Sequence, residues 1–272
     1  MGQIISIANQ KGGVGKTTTA INLASSLGVY KKRVLLIDCD PQGNATMGSG
    51  INKNDCKSTL YHLVTFKKSI DEVIAKKPSG NFDVIPSNRE LVAGEVELMQ
   101  SESRESALKQ NLNEVESIYD YIIVDCPPTL NLLTINAFVA STGVIIPMQC
   151  EYFSLEGLAD LNKTIDQISN FLNPKLKIQG ILRTMYDPRN SLTNAVSAQL
   201  REHFGSKVYR SSIPRNVRLA EAPSHGLPAY LYDKNSKGSL AYLALAGEIL
   251  KKEKMVVNLS LIHISEPTRR AI

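Results

Sequence analysis

The sequence has no tryptophan, only 6% aromatic residues and only four cysteines, at positions 39, 56, 126 and 150. With so few aromatic rings, stacking on nucleobases is not expected to be a main mode of binding. The cysteines form no C-x-x-C pair and have no histidine at metal-ligand spacing, which argues for reduced thiols rather than a structural metal. No apolar stretch reaches the ~18 residues that span a bilayer, and no signal peptide opens the chain. We therefore expect a cytoplasmic protein without stable membrane binding.

The composition is that of a globular protein with a sizeable core, because 43% of the 272 residues are hydrophobic and 21% are charged. The formal net charge of +5 permits an acidic partner such as nucleic acid without requiring one. No linker, repeat or low-complexity segment interrupts the chain before residue 259. We expect one domain over residues 1–258.

The last fourteen residues differ from everything before them. Leu259–Arg269 reads LSLIHISEPTR, which looks like a translated sequencing adapter, although an unusual native tail would also explain it. We therefore expect residues 259–272 to be a non-native, disordered tail.

Short apolar runs alternate with longer amphipathic ones along the chain. The short runs are rich in valine and isoleucine and show little alternation, as in strands that are buried on both faces of a parallel sheet. The repeated strand-then-helix order predicts an α/β fold with a single doubly wound, mostly parallel sheet flanked by helices. The predicted strands are Gln3–Ala8, Arg33–Asp38, Phe82–Pro86, Tyr121–Asp125, Gly143–Met148, Ile178–Met185 and Lys207–Ile213. The predicted helices are Thr17–Leu27, Leu91–Met99, Ser103–Val115, Leu130–Ala140, Ser154–Phe171, Asn194–Phe204 and Leu240–Lys251.

The first predicted strand leads into the glycine-rich stretch NQKGGVGKTTTAINLA and then into a helix. Strand, glycine loop and helix in this order are typical of a phosphate-binding loop, in which backbone amides and the helix N-terminus face the phosphates. Lys16 is expected to neutralise the β- and γ-phosphates of ATP, and the Thr17 hydroxyl to bind Mg²⁺. The expected nucleotide contacts in the loop are Gly12, Gly13, Val14, Gly15, Lys16, Thr17 and Thr18.

This loop departs from the common G-x-x-x-x-G-K-[ST] pattern, because Gln10 replaces the first glycine and Lys11 follows it. The pattern is instead K-G-G-x-G-K-[ST], the deviant Walker A loop. A mobile turn with two solvated lysines is the alternative, but the flanking strand and helix argue against it.

Two strands end in carboxylates. The stretch RVLLIDCDPQGNAT places Asp38 and Asp40 at the carboxyl end of its strand, where open α/β sheets bind ligands. Asp38 is a candidate Mg²⁺ ligand and Asp40 a candidate for orienting water, although Asp40 before proline would also suit a simple turn. Asp125 ends the strand in YDYIIVDCPP and is expected to hold Mg²⁺ through water, with a purely structural role as the alternative.

The chemistry predicted from these residues is phosphoryl transfer from ATP to water. Lys16 and Mg²⁺ would offset charge on the γ-phosphate while Asp40 orients the attacking water. No strong base is evident in the sequence, so turnover is expected to be slow.

The loop, together with DCDPQGNAT, DYIIVDCPP, PMQCEYFSLEGL and IPRNVRLAEAPSHGLP, resembles the ParA/Soj-type partitioning ATPases over about residues 1–254. The resemblance implies a nucleoid-associated homodimer that sandwiches ATP and binds double-stranded DNA without sequence preference. It also implies a ParB-type centromere-binding partner that stimulates hydrolysis, in the segregation of a chromosome or plasmid, and in some relatives an action on the replication initiator. By position in the motifs, Lys11 would reach the partner subunit's nucleotide and Asp40 would be the hydrolytic aspartate. The adenine pocket would include Pro214 and Arg215, and DNA would contact Arg189 and Arg218.

Other users of this loop remain alternatives. A MinD-type membrane ATPase would need a basic amphipathic C-terminal helix, and AYLALAGEILKKEKMVVNL has some of that character, although a core-packing helix fits better. An iron–sulfur carrier would need cysteines in a glycine-flanked setting, which these four lack. Amide ligases of the biotin and cobalamin pathways share the loop, but nothing in the sequence indicates a pocket for a small-molecule acceptor.

Overall fold

The computed structural model of the chain describes residues 2–152 and 154–264, and the side chains among these as far as residue 253. Seven strands form one sheet in the order β3-β2-β4-β1-β5-β6-β7, and all neighbouring strands are parallel. The predicted doubly wound sheet and its seven strands are thus confirmed. The strands are β1 Gln3–Ile7, β2 Val34–Asp38, β3 Asp83–Ile85, β4 Tyr121–Asp125, β5 Gly143–Gln149, β6 Ile178–Tyr186 and β7 Val208–Pro214.

Helices cover both faces of the sheet, as parallel strands require. On one face, α1 and α12 pack against Ile5, Leu36 and Ile123, while the opposite face buries Ile122 and Val124 against the remaining large helices. The helices are α1 Lys16–Val29, α2 Asn44–Gly48, α3 Leu60–Val64, α4 Ile70–Val73, α5 Leu91–Met99, α6 Ala107–Leu112, α7 Leu132–Ala140, α8 Ser154–Phe171, α9 Ser191–Phe204, α10 Val217–Glu221, α11 Ala229–Tyr232 and α12 Lys237–Ile264.

All seven predicted helices are present: α5 and α8 have the predicted bounds, and the other five have shifted ends. The helix predicted over Ser103–Val115 is shorter in the structure, where α6 covers only Ala107–Leu112. Helix α12 extends well beyond its predicted end at Lys251. Helix α12 runs to Ile264, so the first six residues of the tail expected to be disordered are helical, and residues 265–272 lie outside the described residues. The short helices α2, α3, α4, α10 and α11 were not predicted, because four or five residues are too few to show a helical period.

Within the described part of the chain, no helix combines the length and the apolar character that a membrane crossing needs.

The order of the strands determines where a ligand can bind. Strand β1 lies at the centre, between β4 and β5, and the chain winds to one side of it and then to the other. Ligands of open α/β sheets bind at the carboxyl ends of the strands where the winding direction changes. The loop that follows β1 lies at this point.

Candidate functional site

The alternation of side chains along the strands brings two carboxylates to the same face as α1. Asp38 and Asp125 are register partners on β2 and β4, and Asp125 is also paired with Ile7 on β1. Asp38 lies two residues after Leu36 on β2, and Asp125 lies two residues after Ile123 on β4. Because alternate residues of a strand share a face, both aspartates lie on the face that packs against α1. The predicted acidic strand ends therefore meet beside the glycine-rich loop.

The loop between β1 and α1 forms an open cradle. Gly13 and Gly15 have φ angles of 72° and 87°, in the left-handed region that favours glycine. An added Cβ at Gly12 or Gly13 would meet no atom within 4 Å, so the space beside these residues is open. Lys16 begins α1, is buried, and donates from Nζ to the carbonyl of Lys11 at 3.0 Å.

Three side-chain hydrogen bonds to distant segments hold this loop in place. The Thr184 hydroxyl donates to the Val14 carbonyl at 2.8 Å, and the Gln149 amide donates to the Gly13 carbonyl at 3.1 Å. The Asn9 amide donates to the carbonyl of Pro147 at 2.8 Å. The ends of β5 and β6 thus fix the loop, and the sequence analysis did not single out any of these residues.

The two lysines of the loop differ in their contacts. Whereas Lys16 is buried, the Lys11 side chain is 46% exposed and its Nζ lies 2.5 Å from Oε2 of Glu151, just beyond β5. The Lys11 amide donates to the Asn9 side chain at 2.9 Å, which fixes the backbone at this position. Lys11 therefore points away from the cradle of its own chain.

Asp125 is fully buried, and neither of its carboxylate oxygens has a well-formed hydrogen bond among the described residues. Burial raises the pKa of Asp125 well above its usual value, and nearby Asp38 raises this pKa further, while Thr17 and Lys16 oppose the shift. Burial also lowers the pKa of the Lys16 ammonium, against the effect of Asp125 and Asp40. A buried carboxyl with no partner beside a lysine and a threonine hydroxyl is suited to a bound cation.

The residues fit a magnesium ion that is completed by its substrate. Among the described residues, no group of three or more His, Cys, Asp or Glu side chains forms a ready-made metal site. Mg²⁺ does not need such a cage, since it keeps several waters and binds through one or two carboxylates together with substrate phosphates. The unpartnered Asp125 and the nearby Thr17 hydroxyl are a donor set of this kind.

Asp38, the third predicted metal ligand, is engaged within the protein. Its Oδ2 accepts hydrogen bonds from the Thr46 amide and the Thr46 hydroxyl, both at 2.7 Å, and its Oδ1 accepts one from the Asp40 amide at 3.2 Å. Burial raises the pKa of Asp38 to about 6 despite these hydrogen bonds. In this arrangement Asp38 positions α2 and the segment that carries Asp40.

Thr46→Val is expected to lower the free energy of unfolding by about 2–4 kcal/mol, because Asp38 loses a charge-assisted hydrogen bond and the Ser87 amide loses its acceptor. Urea unfolding followed by circular dichroism measures this change. Thr164→Val is the matched control, since the Thr164 hydroxyl bonds only to a carbonyl within its own helix. Equal losses in the two variants would contradict the structural role of Asp38.

Asp40 lies beyond the end of β2 in a partly exposed turn. Its Oδ1 accepts from the Gln42 amide at 2.9 Å, and its carbonyl accepts from the Gly43 amide at 2.9 Å. Its second carboxylate oxygen has no hydrogen bond that the structure records among the described residues. Asp40 thus forms a turn, as its alternative interpretation predicts, and one of its carboxylate oxygens is also available to water.

A pocket of about 170 Å³ lies against the loop and α1. Gly15 and Thr18 line one side, and Pro214 and Arg215, which the family resemblance assigned to the adenine site, line another. This volume is small for a whole ligand and suits one part of a nucleotide. Met185 also lines the pocket and has a left-handed φ of 49°, a strained conformation of the kind found at ligand sites.

The two candidate DNA-binding arginines follow neighbouring strands. Tyr186 of β6 pairs with Pro214 of β7, and Arg189 and Arg218 lie three and four residues beyond these partners. Arg189 is exposed and makes a bidentate contact with Asp187, at 3.0 and 2.8 Å. Both arginines are thus exposed enough to meet a phosphate, but each is paired within the chain.

Arg218 pairs with two carboxylates, Glu221 at 2.8 Å and Asp233 at 3.4 Å, and lies over the ring of Tyr232. Its side chain remains 49% exposed. A phosphate that binds Arg218 must compete with these two carboxylates.

The chain is similar to known proteins over most of its length. A family model described as an AAA domain matches residues 2–178. The sporulation initiation inhibitor protein Soj of Bacillus subtilis is 51% identical over 249 residues, which cover 92% of this chain and 98% of that protein. The chromosome partitioning protein ParA of Caulobacter vibrioides is 48% identical over 254 residues, which cover 93% of this chain and 95% of that one.

A solved structure shows the same fold with ligands bound. The crystal structure of cobyrinic acid a,c-diamide synthase from Mycobacterium smegmatis with bound ADP and magnesium has a TM-score of 0.82 and 31% identity. The match covers 93% of this chain and 96% of that one.

Proposed function

Because the chain belongs to the ParA/Soj family of partitioning ATPases, we propose that it is an ATP-dependent dimerising switch that segregates chromosome or plasmid DNA. In the ATP-bound state the homodimer binds double-stranded DNA without sequence preference, and hydrolysis releases it. This places the protein on the nucleoid within the cytoplasm. A ParB-type centromere-binding protein is the proposed stimulating partner, and the replication initiator a further one.

This proposal rests mainly on the different positions and contacts of the two loop lysines. Lys16 is buried at the start of α1 and directed into its own loop, while Lys11 is half exposed and directed outward to Glu151. One ammonium group can therefore serve the nucleotide of its own chain, and the other is available to a nucleotide held by a second copy. Binding of a triphosphate between the two copies then makes the dimer favourable, because ATP provides the negative charge that both lysines need.

Hydrolysis follows from the same residues. Water attacks the γ-phosphorus and the bond to the β,γ-bridging oxygen breaks, which gives ADP, inorganic phosphate and a proton released to solvent. Asp40 orients the attacking water, while Lys16 and the partner's Lys11 stabilise charge on the phosphoryl oxygens. Thr17 and Asp125 would hold Mg²⁺, which would neutralise part of the charge on the phosphates. The absence of a strong base among these residues makes intrinsic turnover slow.

A comparison of two variants with the wild type tests the switch. With MgATP, the wild type is expected to dimerise and to sediment with plasmid DNA until ATP is consumed. Asp40→Ala should dimerise and remain on DNA, because bound ATP persists, whereas Lys16→Ala should neither dimerise nor bind DNA. Light scattering measures the dimer, phosphate release the turnover and co-sedimentation the DNA binding. Asp55→Ala removes an exposed carboxylate from the same region and should behave as wild type.

Two results would contradict the proposal. Wild-type turnover by Asp40→Ala would remove the assigned role of Asp40. A hydrolysis-blocked variant that stays monomeric at high concentration with saturating MgATP would exclude the dimer switch. Replacing DNA by liposomes in the same assay tests the MinD-type alternative, which predicts ATP-dependent sedimentation with lipid.

A further inference from the structure

A second cavity, of about 460 Å³, lies at the opposite end of the sheet from the glycine-rich loop. It is bounded by the segment between α1 and β2, by the segment before β3, and by the residues that lead into β4. Its lining includes five cationic side chains and one carboxylate, Asp83, so the lining carries a formal charge of about +4. The cationic residues are Lys31, Lys32, Arg33, Lys76 and Lys77.

Only two of the five cations are paired. Arg33 lies 3.6 Å from Asp120, and Lys76 lies 3.2 Å from Asp83. Lys31, Lys32 and Lys77 make no side-chain ion pair with any side chain that the structure describes.

The nearest further carboxylates do not neutralise these three lysines. Lys32 acts on two carboxylates only at longer range. The hydrogen bond from the Arg33 amide lowers the pKa of Asp120, and Lys32 lowers it further. Burial raises the pKa of Glu253 of α12, and Lys32 opposes this shift. The Asp83 carboxylate is already shared between the Lys76 ammonium, the Tyr119 hydroxyl and the Lys77 amide. Three lysines without an ion pair to any described side chain therefore line one concavity.

Backbone strain coincides with the same cavity. Lys31 and Lys77 have left-handed φ angles of 60° and 45°, and they are two of the four non-glycine residues with positive φ in the described part of the chain. A third, Met185, lines the nucleotide pocket. The φ of Lys31 is that of a residue that ends helix α1, since its amide donates to the Gly28 carbonyl at 2.9 Å and the Lys32 amide donates to the Leu27 carbonyl at 3.1 Å. Lys77 follows no helix directly, and its φ is a strain of the kind that is concentrated at binding sites.

A purely structural account explains only part of this cluster. Lysines just beyond the end of α1 offset the negative end of the helix dipole, which accounts for Lys31 and Lys32. The helix dipole does not account for Lys77, which lies in the segment before β3.

We propose that this cavity binds a small inorganic polyphosphate anion with three or more linked phosphate groups. The three unpaired ammonium groups would bind the phosphate oxygens. The volume lies within the range of small-molecule sites, and a concavity of this size suits a compact ligand better than the backbone of a duplex. Helix α1 separates this site from the glycine-rich loop by about 21 Å, from 14 residues at 1.5 Å each.

Isothermal titration of inorganic tripolyphosphate tests the proposal. The protein is first saturated with ADP in magnesium-free buffer, so that the glycine-rich loop is occupied and the probe is not chelated. We expect one tripolyphosphate per chain, with affinity that falls as salt is added. The triple variant Lys31→Gln, Lys32→Gln, Lys77→Gln should raise the Kd on the order of 10- to 100-fold, because three charge-assisted contacts are lost.

A matched control removes the same charge elsewhere. Lys109→Gln, Lys175→Gln, Lys177→Gln replaces three exposed lysines and should leave the Kd unchanged. The ADP affinity of both variants reports whether they are folded, and separates failure of this site from failure of the proposed ATPase function. An equal rise in the Kd for tripolyphosphate in the two triple variants would mean that binding depends only on the net charge of the protein, and would overturn the proposal.

A short DNA duplex, titrated at the same phosphate concentration, distinguishes the two sources of phosphate. We expect the duplex not to displace tripolyphosphate from the wild type. Displacement by the duplex, or no saturable binding of tripolyphosphate to the wild type, would overturn the proposal.

Discussion

Lys11→Ala is expected to abolish ATP-dependent dimerisation while changing the ATP affinity of the monomer by no more than about threefold. The reason is geometric, because the Lys11 ammonium points outward to Glu151 whereas Lys16 serves the loop of its own chain. Without the outward lysine, the phosphates of a facing subunit lack one of their two cations. Equilibrium binding of a fluorescent ATP analogue and analytical ultracentrifugation with MgATP measure the two quantities.

Glu151→Gln is the matched comparison, since it keeps the shape of the side chain but removes the charge that holds Lys11. Freed from this ion pair, Lys11 should engage a second nucleotide at lower protein concentration, so the midpoint of dimerisation should fall. If Lys11→Ala dimerises as the wild type does, the assignment of this lysine to a facing subunit is wrong.

Arg218→Glu is expected to abolish binding to nonspecific duplex DNA and to leave ATP-dependent dimerisation intact. Arginine contacts phosphate oxygens through a planar fork, and this substitution replaces attraction by repulsion. It also places a third carboxylate beside Glu221 and Asp233, which repels the duplex further. Co-sedimentation with DNA and light scattering, both with MgATP, measure the two effects.

Arg218→Gln makes the assignment quantitative because it removes only the charge. Loss of one phosphate contact from each subunit of the dimer should reduce the slope of log affinity against log salt by about 2. Arg104→Glu is the control, since Arg104 is likewise exposed and paired with a neighbouring carboxylate, Glu105. Undiminished retention of Arg218→Glu on DNA would reject the role of this arginine.

The sheet and the loop could be predicted from the sequence because their signals are local. Each strand is a short apolar run, and the stretch from Lys11 to Thr17 has a spacing that few other structures require. A parallel sheet brings the strand ends at Asp38 and Asp125 to the same edge, but only the structure shows that their strands, β2 and β4, are adjacent. The predicted position of the nucleotide site rests on these features.

The contacts that refine the site could not be predicted, because they join residues far apart in the chain. Glu151 lies 140 residues from Lys11, and Thr184 lies 170 residues from Val14. No periodicity or spacing relates such pairs, so only the folded chain reveals them. The engagement of Asp38 by Thr46 is closer in sequence but depends on a five-residue helix, α2, that is too short for a recognisable pattern.

The unpartnered carboxyl of Asp125 has a consequence for the lifetime of the chain. Burying this group costs free energy even though its raised pKa favours the neutral form, and a cation and nucleotide bound beside it would offset part of that cost. We therefore expect the empty protein to open more often to proteases than the loaded one, and to be degraded faster when cellular ATP is scarce.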